Sequence, residues 1–173
     1  VVPVGDGAKG YNALAFQAGA GRARVHEDIL KHVYAKGQGT APKEDEVGQV
    51  LYNRGMIHAM YTVEAVRQAQ KRYGNKPVTG EQVRWGLENL QIDQAALKRL
   101  GMENFLTPLT TTCVDHEGSR TARVMQWDGA KWNYTTDFME ADMQIIKPMT
   151  VEAAKRYAAE KKIEIRDCAK ENS

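Results

Sequence analysis

Two carboxylates and an imidazole stand together at Asp115-His116-Glu117, with Gly118 behind them. Such a triplet could pass protons as general acid and base if a cleft perturbed its pKa values. Lying between two strand-like runs and followed by glycine, it reads first as a polar hairpin turn. The other histidines are His26, His32 and His58. His26 and His32 are six residues apart on one helical pattern, about 240° around the axis, so they do not face one site. His58 has no ligand partner one turn away, and no metal site is expected. Solvated or hydrogen-bonded imidazoles are the default reading.

Tyr52-Asn53-Arg54 is a polar run beside Gly55 inside an apolar helical pattern. It suits a solvent-facing turn or a cleft-lining patch that binds a carboxylate. Trp127, Trp132 and Tyr134 fall within one hairpin pattern, either packing a core face or offering a stacking platform. Cys113 and Cys168 can pair in only one way. In an extracytoplasmic protein that bridge would tie the tail to the body; the alternative is two buried or reduced thiols. The nucleophile elbow and the P-loop do not occur. Gly5, Gly7 and Gly10 approach a phosphate loop but lack the strand that should precede it.

The elements that must position these residues follow from periodicity. Residues 11–17 fit a short strand and 25–36 a helix stopped by Gly37. Residues 44–73 give the longest helical pattern, acidic at its start and basic at its end, as the helix dipole favours. Gly48 and Gly55 weaken it by roughly 1 kcal/mol each relative to Ala and let another backbone come close, or allow a break near 52–55. Thr79-Gly80-Glu81-Gln82 is a capping box for a helix to about Leu90, and Asp93 can cap a short helix through Leu100. Residues 109–114 and 120–127 read as strands. Asp128-Gly129 is a tight turn into a return strand at 131–135. Thr150 is expected to cap a last helix through about Lys161, with a short strand at 163–165.

The chain has 173 residues, a formal net charge of +2 and 27% charged residues. That composition suits a soluble globular chain and excludes binding driven by a strong basic field, so no nucleic-acid partner is expected. No apolar run is long enough to span a membrane. The start at Val1, without methionine or a signal-like segment, reads as the middle of a protein or as a matured terminus with a signal peptide removed.

Several segments, in order, carry a family likeness. They are Gly5-Asp6-Gly7-Ala8-Lys9-Gly10-Tyr11, Val50-Leu51-Tyr52-Asn53-Arg54-Gly55, the run from Lys76 to Arg84, Asp115-His116-Glu117-Gly118, and the run from Val124 to Trp132. Together they resemble the C-terminal part of type I periplasmic solute-binding proteins of the branched-chain amino acid (Leu/Ile/Val) ABC-transporter class. The resemblance implies an α/β fold of two lobes, helices on a mostly parallel sheet plus a late β-hairpin, of which this chain is the C-terminal portion. Residues 1–40 would belong to the second lobe and 41–105 to the first. Residues 106–173 would supply late strands, hinge passages, the hairpin and the C-terminal helix. It further implies a non-catalytic periplasmic protein without cofactor. Such a protein holds a small solute, an amino acid or an aromatic or aliphatic acid, between the lobes and delivers it to the membrane permease of an ABC importer. Phe16, Gln17, Tyr52 and Asn53 fall where ligand contacts would lie. A sensor domain of a regulator, or an unrelated α/β enzyme using Asp115, His116 and Glu117, are the alternatives.

Overall fold

The computed structural model describes residues 2–16, 21–40 and 44–171; Gln17 lies outside them. The helices are α1 (Arg24–His32), α2 (Val50–Tyr73), α3 (Gly80–Leu87), α4 (Gln94–Arg99), α5 (Met143–Lys161) and α6 (Cys168–Glu171). The strands are β1 (Asn12–Ala15), β2 (Gln91–Ile92), β3 (Leu109–Thr110), β4 (Thr121–Trp127), β5 (Trp132–Tyr134) and β6 (Met139–Glu140). The fold is a mixed arrangement of helices and open sheets.

Local chemistry explains most boundaries. The Thr79 hydroxyl accepts from the Gln82 N–H at 3.3 Å while the Gln82 side chain accepts from the Thr79 N–H at 2.9 Å, closing the capping box of α3. Asp93 accepts from the Ala96 N–H at 2.7 Å and starts α4. The long helix begins later than its pattern suggests. Residues Glu44–Glu46 form a separate 3-10 turn, and Gly48 at φ +98° breaks the chain before α2. A Cβ on Gly48 would stand 2.8 Å from Arg22 Cγ and 3.0 Å from the Gly21 carbonyl, so that glycine admits a second backbone. At Gly55 the helix runs on unbroken.

The C-terminal helix differs too. α5 begins at Met143, capped by Asp142, whose carboxylate accepts from the Gln144 N–H at 3.0 Å, and it runs through Pro148. Thr150 is inside it and donates to the Lys147 carbonyl instead of capping. Residues 163–167 form no strand. None of the α5 residues is buried.

β4 is the hub of the main sheet, pairing with β1, β5 and β6, while β2 pairs with β3. Each of these four pairings is antiparallel, so the mostly parallel sheet is not found among the described strands. A parallel pair needs a crossover that returns the chain in the same direction. Here β5 returns on β4 through the Asp128 turn, and β4 comes back against β1 head to tail. Trp127 lies opposite Trp132 with ring centroids 5.6 Å apart, and its indole N–H donates to the Gly5 carbonyl at 3.0 Å. The pair is therefore core packing.

The main apolar core joins Ile57 of α2, Leu90 and Ile92 around β2, Leu97 of α4, and Met102, Phe105, Leu106 and Leu109. α1 packs on this helical unit through the Val25 N–H to Gly101 carbonyl bond and the edge contact of His26 with Phe105. α2 and α3 approach so closely that a Cβ on Gly86 would come 2.1 Å from the Ala65 carbonyl oxygen.

Candidate functional site

α2 turns one stripe inward: Ile57, Ala65 and Ala69 are buried. Tyr61, four residues beyond Ile57, lies on that stripe and reaches the gap between the helical unit and the sheet. Burial pushes its phenol up to about 12, and desolvation is the sole cause. Its hydroxyl has no hydrogen-bond partner among the described residues.

Tyr61, Leu109 and Glu117 line two neighbouring cavities in common. The first cavity, about 250 Å³, is lined by Phe16, Tyr61, Leu106, Thr107, Leu109, Glu117, Ser119 and Phe138. Its polar floor is a ring of hydroxyls: Thr107 to Ser119 at 2.6 Å, Thr107 to Thr121 at 2.8 Å, and Ser119 to Thr121 at 2.8 Å. A hydroxyl in such a ring donates once and accepts once, which leaves a lone pair for an outside donor. Glu117 adds a half-exposed carboxylate whose Oε2 is 3.5 Å from Arg120 Nε. Phe138 is held from behind by the Arg123 guanidinium, 4.5 Å from its ring centroid and 3.4 Å from that of Tyr134. The cavity thus offers aromatic walls, hydroxyls and one anionic group.

The second cavity, about 370 Å³, lies under the C-terminal end of α3, with Leu87, Leu90, Thr111 and Gly118 joining the shared residues. Arg84, Glu88 and His116 stand on its rim. Arg166 grips Glu88 with both arms at 2.6 and 2.8 Å. This hydrogen-bonded guanidinium holds the Glu88 carboxyl below its ordinary value against the opposing effect of burial. Two residues beyond Arg166, Cys168 is bridged to Cys113 with Cα atoms 5.8 Å apart, so the tail is tied across the cavity edge.

The acidic triplet divides its labour. Asp115 pairs with Arg120 and with Lys147, His116 stands 3.5 Å from Glu88, and Glu117 lines both cavities. The turn itself falls earlier than the spacing suggests: the strand ends at Thr110, Cys113 and Val114 make the turn, closed by the Thr112–Asp115 bridge, and the triplet follows as irregular chain that walls the cavities.

Of the residues expected at a ligand, Phe16 is 70% exposed at the end of β1 and lines the smaller cavity. Tyr52 is elsewhere: nine residues before Tyr61 on α2, it is about 13 Å away along the axis. Desolvation and then the neighbouring Tyr34 raise its pKa. Asn53 is wholly buried. Its oxygen accepts from His26 Nε2 at 2.7 Å, and its amide nitrogen donates to the Gly48 and Gly21 carbonyls at 3.0 and 3.2 Å. The other imidazole nitrogen, Nδ1, accepts from the Ala23 N–H at 2.8 Å, which sets the tautomer. Asn53 therefore locks α1 and the Gly21–Gly48 contact onto α2, and the structure does not bring it together with Phe16. Tyr61, Thr107, Ser119 and Phe138 were not foreseen. Tyr61 looks like any core residue of an apolar stripe, and the others carry no local motif.

No protein-family model and no curated protein sequence matches the chain. Among solved structures, it is similar to a chain described as an ABC transporter permease from the Pseudomonas fluorescens group, with 38% identity, a TM-score of 0.90 and 97% of this chain covered. This chain spans 40% of the length of that one. It is also similar in fold to a branched chain amino acid ABC transporter from Thermus thermophilus with bound valine, with 21% identity, a TM-score of 0.56, and 80% of this chain and 35% of that one covered. Among the described residues, no helix is long and apolar enough to cross a membrane.

Proposed function

We propose that this chain is the C-terminal portion of a two-lobed, type I periplasmic-type solute-binding component of an ABC importer. Its cavity of Phe16, Tyr61, Thr107, Glu117, Ser119 and Phe138 is the part it contributes to a site for a small amino-acid-like solute. The observation that carries this reading is the convergence of distant segments on one cavity of complementary chemistry. Glu117 suits an ammonium group, the hydroxyl ring suits a polar head, and the aromatic rings suit an apolar side chain. The likeness to a chain with bound valine supports the amino-acid class. The Cys113–Cys168 bridge supports an oxidising, extracytoplasmic setting. The role is binding, not catalysis: a solute touching both lobes selects their closed arrangement, and a membrane permease receives it.

A permease description does not agree with a solute-binding role, and it favours a second reading, an ABC transporter component with another task. Isothermal titration of a panel of free amino acids, valine included, separates the two in the whole protein that carries this sequence. Saturable heat that Phe138→Ala abolishes supports the proposal. No heat from any member of the panel supports the second reading.

A further inference from the structure

The larger of these two cavities, which shares Tyr61 with the proposed solute site, differs from it in chemistry. Its surface comes mainly from Leu87, Leu90, Leu109 and the Tyr61 ring. Two of the ionisable side chains on its rim are already matched, Glu88 by Arg166 on both oxygens and by His116, and Arg84 by Glu81 at 3.0 Å, while Glu117 serves the solute cavity. An ionic ligand would have to break one of these pairs, and a neutral one would not. A volume of about 370 Å³ exceeds that of an apolar cavity that takes a benzene ring, which is about 150 Å³. The Tyr61 hydroxyl on the wall has no protein hydrogen-bond partner among the described residues and is open to a ligand; it stays protonated and able to donate throughout the neutral range.

We propose that this cavity is a second binding site, for a small neutral aromatic molecule that carries a single hydrogen-bonding group and is received by the Tyr61 hydroxyl. The ring lies against Leu87, Leu90 and Leu109. The tail, pinned by the disulfide and by Arg166 on Glu88, closes the edge of the site and keeps the rim charges paired. The site shares Tyr61 with the proposed solute cavity, so the two ligands would be neighbours.

The test titrates p-cresol, toluene and L-valine into the whole protein that carries this sequence, with methyl-labelled leucines. The expected result is transfer of magnetisation from the p-cresol ring to the Leu87 and Leu90 methyls. Leu87→Trp, which fills the cavity from its exposed rim, should weaken p-cresol by roughly tenfold or more and move valine by less than roughly twofold. Tyr61→Phe should erase the preference for p-cresol over toluene. Phe138→Ala reports on the other cavity: it should remove valine binding and leave p-cresol in place. Contacts of the p-cresol ring with Phe16 or Phe138 in place of the leucines would overturn the proposal. So would an unchanged affinity in Leu87→Trp, or no saturable binding of p-cresol. A loss confined to valine strikes the solute-site reading alone.

Discussion

Asn53→Ala separates a structural asparagine from a ligand-binding one. The substitution removes both ends of an amide buried to 0% exposure. His26 Nε2–H loses the partner that stood at 2.7 Å, and the imidazole is itself wholly buried. A stranded buried donor costs about 1–3 kcal/mol. The Gly48 carbonyl is cushioned, because the Gly21 N–H still reaches it at 2.9 Å. The Gly21 carbonyl is also short of a bond, which adds about 1 kcal/mol. The total is about 3 kcal/mol, a fall in Tm of about 6–12 °C for a chain of this size. Urea and thermal unfolding measure it, and a double-mutant cycle with His26→Ala should give a coupling on the order of 1–2 kcal/mol. Asn53→Asp should be worse than Ala, because it sets a carboxylate oxygen against two carbonyls. A loss below about 0.5 kcal/mol, as at an exposed position, with a fall in solute affinity, would refute this placement.

Breaking the bridge with Cys168→Ser should cost about 4 kcal/mol by loop entropy, from the sequence separation of 55, read as a lower urea midpoint. Glu88, held below its ordinary 4.5, contributes stability that is present above that value and lost as pH falls through its folded pKa. Glu88→Gln should therefore flatten the acid limb of the stability curve. Asp128, brought down to about 2 by the N–H groups of Lys131 and Ala130, should stay ionised as pH drops below 3.8, followed by its carboxyl resonance. Gly86→Ala should cost about 2 kcal/mol or more, because the new methyl meets the backbone of α2, seen as a drop in Tm.

How much the sequence reveals depends on how local the cause is. The capping box of α3 and the Asp128 hairpin are decided by residues a few positions apart, and both stand where the spacing puts them. The start of α2 depends instead on Gly48 meeting the backbone of Gly21, a contact no short window contains. Pro148 looks like a helix stop. α5 passes through it because the helix is unburied, so the carbonyl that loses its partner can be hydrated. The same distinction governs the site. Phe16 could be singled out from a resemblance, but its companions Tyr61, Ser119 and Phe138 arrive through the packing of α2 and the antiparallel return of β4 beside β1. Asn53 is misleading for the opposite reason: a polar residue within an apolar pattern marks either a ligand contact or a buried lock. Only the positions of His26, Gly21 and Gly48 decide between them.

The most direct test of the central claim maps bound valine by aromatic and methyl chemical shifts in the whole protein that carries this sequence. The expected result is a cluster of perturbations at Phe16, Tyr61, Leu106 and Phe138 that saturates with valine and disappears in Phe138→Ala. Saturable shifts centred on Tyr52 with the Phe16 cavity silent, or no saturable shift with any amino acid, would contradict it.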